Sequence, residues 1–174
     1  MCRRPRNLPV RKAARDGHQA RGRVVITNSV ELVRLRAEWD GVCKMQRHKT
    51  MLVASALAFG AIRSTALADA VANLPLLLAF DVLRQVLKQL KRQGLVKSKR
   101  HSLGDLMDDA QTAVPWLDWR TLRDGVRRRN AVAHDGAIHP RKQCWEDVDL
   151  IGRQLTLWKV VDVPSPIGPN GEIR

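Results

Sequence analysis

The sequence predicts an all-α fold, a helical bundle joined mostly by short turns. Apolar residues recur at alternating steps of three and four along most of the chain, the period of one helix face. Leu, Val and Ala supply most of the apolar volume, while aromatic residues make up only 4% and Tyr is absent, a mixture that suits packed helices better than sheets. No internal repeat and no alternating strand pattern stands against this. The 174 residues fit one domain, since typical domains hold roughly 100–150 residues.

Residues 1–23 carry eight positive side chains against Asp16, a net of +7, which is half of the chain's +14. The segment is Arg-rich and superficially like a transit peptide, but it lacks an apolar core and includes Pro5, Pro9 and Gly17. It reads as a disordered basic arm. The helical domain is expected over residues 24–161, with a Pro/Gly-rich tail over 162–174.

Asn28 precedes Glu31 by three residues, the spacing of a capping box, and Leu32, Leu35, Trp39 and Val42 then mark one apolar face. The pattern runs on through Met51, Leu52, Ala56 and Phe59, as two helices or one long bent one, with Gly60 as a weak point. Leu76, Phe80, Leu83, Leu87 and Leu90 form the clearest core face, and Gly94 closes that helix. Ser102 and Asp105 open a short helix through Leu106, Met107 and Ala110, which Pro115 interrupts. Asp118 caps the next, whose face is Trp119, Leu122, Val126, Arg129 and Ala133, ending at Gly136. Arg129 thus occupies a position where an apolar residue is expected. Pro140 permits a last helix with Val148, Ile151, Leu155 and Trp158 inward.

The charge and a pI near 11 favour a polyanionic partner such as nucleic acid. Cys2, Cys43 and Cys144 lie far apart without a C-x-x-C spacing, so neither a disulfide framework nor a zinc site is indicated, and reduced cytoplasmic thiols are the simpler reading. Cys144 follows His139 by five residues, but no second ligand pair completes a tetrahedral site. The uncharged stretch 50–62 is shorter than the ~20 residues a membrane-spanning helix needs.

Residues 120–136 place Arg120, Arg123, Arg127, Arg128, Arg129 and His134 within little more than four helical turns. Imidazoles titrate near neutrality and move protons, while guanidinium groups stay charged and hold two phosphate oxygens at once. Those are the requirements of phosphodiester cleavage by a ribose 2′-hydroxyl: a proton must leave the nucleophile, and extra charge must be stabilised at phosphorus. Asn130 lies about 40° from His134 around an ideal helix and Arg129 about 140°. A long side chain, a distorted helix end or a second subunit is therefore required to bring Arg129 and His134 to one phosphate.

Arg129-Asn130-Ala131-Val132-Ala133-His134 resembles the R-x4-6-H signature of HEPN (higher eukaryotes and prokaryotes nucleotide-binding) ribonucleases in its R-N-x-x-x-H form, and Asp135-Gly136 extends the match. The resemblance implies a bundle of four or five principal helices with short additional ones and a homodimer with the motif near its two-fold axis. It further implies an endoribonuclease that leaves a 2′,3′-cyclic phosphate and needs no metal or cofactor. On that pattern Arg129 and His134 are catalytic and Asn130 supports them, while Arg123, Arg127 and Arg128 contribute RNA-binding charge. A toxin or defence role fits the family, with an antitoxin or other regulatory protein as a further partner. Arg127 and Arg128 also satisfy the looser spacing; Arg129 is chosen because Asn130 follows it and because it interrupts an apolar face, with Arg127, nearly on the face of His134, as the fallback. Members paired with minimal nucleotidyltransferase antitoxins often carry Tyr two residues beyond the His, where this chain has Gly136.

The bland account of the same segment is that basic residues near a helix C-terminus complement the macrodipole at ~0.3–1 kcal/mol each. It covers Arg127 and Arg128 but not Arg129 with Asn130 and His134. A non-enzymatic HEPN-like module that binds RNA or protein, and a DNA-binding helical regulator, are the competing functions. Asp81 is a candidate partner for Arg129 or His134, with a solvated helix residue as the alternative. His18, His48 and His101 read as surface residues. The acid-free run from Arg84 to Arg100 extends the RNA-binding surface or forms a solvated basic face.

Overall fold

The Asn28 side chain accepts a hydrogen bond from the Glu31 amide at 3.2 Å, and α1 runs from there over Ser29–Ala58. In this computed structural model residues 26–58, 65–162 and 172 are described; the basic arm, the Phe59 and Gly60 positions and most of the tail lie outside them. Leu35, Trp39 and Val42 of α1 are buried with Leu32 packed beside them, as their spacing predicts. The helix continues unbroken past Met51, so one long helix replaces the two-helix alternative.

The second helix, α2, spans Thr65–Arg92 and contacts all four other helices. Leu76, Phe80, Leu83, Leu87 and Leu90 form its fully enclosed face. Gly94 closes it at φ +75°, with Gly94 N–H donating to the Lys91 carbonyl and Leu95 N–H to that of Leu90, a Schellman arrangement that satisfies two terminal carbonyls. Ala68–Arg92 is long and apolar enough by composition to cross a membrane; here it is the bundle's central helix.

Pro75 lies inside α2, although proline removes an amide and strains a helix by ~3 kcal/mol or more. Tertiary contacts on the turns before it offset this. Asn73 donates to the His139 carbonyl at 3.1 Å and accepts from the His139 amide at 3.2 Å, while Asp69 accepts from the Arg141 amide at 2.9 Å. The first turns of α2 therefore also hold the start of the last helix.

Ser102 caps α3 (Leu103–Ala110), accepting from the Asp105 amide while its hydroxyl donates to the Asp105 carboxylate at 2.6 Å. Leu103, Leu106, Met107 and Ala110 are buried. After α4 (Trp119–Asp135), α5 (Arg141–Leu157) buries Val148, Ile151 and Leu155, with Trp158 at its end. The fully buried Gln154 accepts from Leu117 N–H at 2.8 Å and donates to the Pro115 carbonyl at 3.1 Å; Trp158 Nε1 donates to that carbonyl at 2.7 Å. Buried polar groups placed this way are satisfied, and they fix the turn from which α4 departs. The fold is all-α, with five helices and no strand among the described residues.

Candidate functional site

Asp118 starts α4 by accepting from Thr121 N–H at 3.0 Å and from its hydroxyl at 2.6 Å, contacts that hold the Asp118 carboxyl below the usual carboxylate range. Leu122 and Val126 are buried, as their step of four predicts. Between them Gly125 lies against α2 so closely that a Cβ there would stand 2.6 Å from Phe80 Cζ and 3.3 Å from Asp147 Oδ1. The missing side chain lets α4 approach α2 at this level.

Beyond Gly125 three consecutive arginines point in three directions, as residues ~100° apart on a helix must. Arg127 is exposed and pairs with Asp124 at 3.0 Å on its own helix. Arg128 turns to α5, where Nε and Nη2 donate to Asp147 at 2.9 and 2.6 Å. Arg129 is half-buried, on the face that Leu122 and Val126 define. That face ends there, since Ala133 is exposed.

Arg129, Asn130 and His134 line one cleft of about 340 Å³. Phe80 and Arg84 of α2, Arg123 of α4 and residues 102–105 at the start of α3 complete it. Arg129 Nη1 donates to Asn130 Oδ1 at 3.2 Å, while Arg129 Nε is buried without a hydrogen-bond partner among the described residues. Arg84 Nε is in the same condition. Leaving a buried donor unsatisfied costs about 1–3 kcal/mol, and both of these guanidinium groups belong to residues that line the cleft. His134 is exposed and makes no side-chain hydrogen bond among the described residues.

Arg129 and His134, about 140° apart on an ideal helix, line the same cleft from one continuous helix. The helix end is also widened. Gly136, at φ +65°, donates its N–H to the Ala131 carbonyl five residues back, and Ala137 N–H reaches the same oxygen at 3.1 Å. This i,i+5 closure enlarges the turn that carries His134.

Arg123 lines the cleft but gives two hydrogen bonds to Asp108, at 2.8 and 3.0 Å. Asp105 receives Ser102 and, at 2.9 Å, Arg100, which together hold its carboxyl below the ordinary range. Arg128, expected among the RNA-binding arginines, is engaged by Asp147, which is 2% exposed. Burial pushes the Asp147 carboxyl up and the Arg128 guanidinium opposes that shift. Its place is in the packing of α4 on α5.

Asp81 pairs neither with Arg129 nor with His134: its carboxylate accepts from Arg84 at 2.5 Å and from Gln85 at 2.9 Å. Cys144 is buried and its thiol is pushed up to about 12 by desolvation, as is Cys43. His48 and His101 are exposed, and His18 lies outside the described residues. Arg84 was legible in the sequence only as one member of a basic run, because its partners in the cleft lie on other helices. Gly125 and Asp147 carried no local signal.

Compared with protein-family models, curated proteins and solved structures, the chain matches none.

Proposed function

We propose that this chain is a HEPN-like endoribonuclease that cleaves RNA by attack of a 2′-hydroxyl, without a metal ion, as an effector of the toxin or defence class. The observation that carries the reading is that Arg129, Asn130 and His134, the three residues of the R-N-x-x-x-H motif, line a single cleft together with two further arginines, Arg84 and Arg123. His134 takes the proton from the ribose 2′-hydroxyl as O2′ bonds to phosphorus. The P–O5′ bond breaks, and the imidazolium returns a proton to the departing 5′-oxygen. Arg129 lies against the phosphate and stabilises the charge that gathers on its non-bridging oxygens. Asn130, which already receives Arg129, orients that guanidinium. The products are a 2′,3′-cyclic phosphate and a 5′-hydroxyl.

An exposed His134 with no partner to fix its ring suits a site completed by RNA or by a second copy of the chain, in line with the homodimer that the motif implies. The same exposure is the one observation that favours the second reading, a binding module that holds RNA in this cleft without cutting it. A substrate with deoxyribose only at the cleaved position separates the two. The ribonuclease cuts the all-ribose strand in EDTA and spares the substituted one; a binding module holds both and cuts neither.

A further inference from the structure

Among the described residues, Arg84 is the one guanidinium of the cleft that comes from outside the motif helix. It sits on α2, one turn past Phe80, and Asp81 fixes one edge of it through Nη2 at 2.5 Å. Asp81 is itself held. Gln85 Nε2 donates to its second oxygen at 2.9 Å, and Arg34 of α1 donates to Gln85 Oε1 at 2.5 Å. A relay across two helices thus orients the Arg84 plane, while its Nε remains buried and unpaired among the described residues. Arg129 Nε is likewise unpaired, on the facing helix of the same cleft.

A carboxylate holding one edge of a guanidinium leaves other N–H donors in fixed directions, and planar forks of this kind match phosphate oxygens. Simple ion pairing on a helix surface would account for Asp81 with Arg84, but not for a guanidinium held in this way lining the same cleft as Arg129, Asn130 and His134. We propose that Arg84 is a phosphate-holding residue of the cleft, acting with Arg129 on a phosphodiester of single-stranded RNA, and that Asp81 and Gln85 are its positioning residues. This deepens the ribonuclease reading and rests on it for the identity of the strand, though the binding role of Arg84 does not depend on cleavage.

The test is binding of a fluorescein-labelled 2′-O-methyl oligonucleotide, which the proposed chemistry cannot cut, across a series of salt concentrations. Arg84→Gln, Arg84→Lys and Arg47→Gln are compared with wild type, with circular dichroism and Tm as checks of folding. Arg47 is exposed on α1 and does not line the cleft, so its loss controls for net charge. Arg84→Gln is expected to weaken binding about tenfold and to reduce the slope of log affinity against log salt by ~0.7, the signature of one lost contact to a single strand. Arg84→Lys restores the slope but only part of the affinity. Affinity and slope in Arg84→Gln equal to those of Arg47→Gln, or no binding by wild type at low salt, would overturn the proposal. Should the wild type bind with this Arg84 dependence yet fail to cut all-ribose RNA, the Arg84 assignment stands and the ribonuclease reading falls. Unimpaired binding and cutting by Arg84→Gln has the opposite meaning.

Discussion

Arg128 donates two hydrogen bonds to Asp147, at 2.9 and 2.6 Å, and so ties α4 to α5 immediately before the helix presents Arg129 to the cleft. Two neighbouring arginines of equal charge therefore do different work. One anchors the helix, and the other remains incompletely satisfied.

Removal of that anchor leaves a carboxylate that is 2% exposed without its counter-ion, at a cost of about 3 kcal/mol at neutral pH. For Arg128→Gln this lowers Tm by roughly 10 °C. Burial already pushes the Asp147 carboxyl above its ordinary value, and Arg128 opposes the shift. Without Arg128 the folded protein holds the Asp147 proton over a wider range than the unfolded chain does. Native protein then binds more protons than unfolded protein in that window, so stability falls as pH rises through it and returns as pH falls. Thermal melts of wild type and Arg128→Gln from neutral pH into the carboxylate range check this; a deficit that does not change with pH would contradict it.

Gly125→Ala places a methyl 2.6 Å from the ring of Phe80, which is fully buried. Overpacking of this kind costs ~1–3 kcal/mol, and here it also pushes apart the helices that carry Arg84 and Arg129. The variant is expected to melt lower and to lose RNA cleavage beyond what its folded fraction explains. Gly104→Ala is the contrast, because the atoms nearest its Cβ belong to the Arg123 guanidinium at 3.2 Å, which has to give by far less than the Phe80 ring. Differential scanning calorimetry of both variants should rank Gly125→Ala well below Gly104→Ala.

The thiols of Cys43 and Cys144 are pushed up to about 12 by desolvation. Only thiolates react quickly, so at pH 8 these two should modify roughly a thousandfold more slowly than in the denatured chain. Mass spectrometry after a timed pulse of iodoacetamide, with and without urea, measures this. Labelling of Cys144 in the native protein at the denatured rate would mean that α5 opens.

The helices were legible because burial repeats with the turn. Leu35, Trp39 and Val42, and Leu76 through Leu90, are buried where their spacing predicts, and the caps at Asn28, Ser102, Asp118, Gly94 and Gly136 are local chemistry visible within a few residues. Arg129 could be picked out because it interrupts an apolar face. What the sequence hid is what depends on distant partners. The interior Pro75 is tolerated where Asn73 and Asp69 are bonded to residues 139 and 141, partners more than sixty residues away in sequence. Arg128 reads as free charge until Asp147 is seen nineteen residues on, and Arg84 as one basic residue among seven until α2 and α4 are packed.

The most direct test of the central claim is cleavage of a pool of long single-stranded RNAs in EDTA by wild type and His134→Ala, with the chemistry of the product ends determined. The wild type is expected to leave 2′,3′-cyclic phosphate and 5′-hydroxyl ends, and His134→Ala to lose about 100- to 10,000-fold in rate while retaining RNA binding. An RNA pool left intact by the wild type, or cut equally well by His134→Ala, would contradict it.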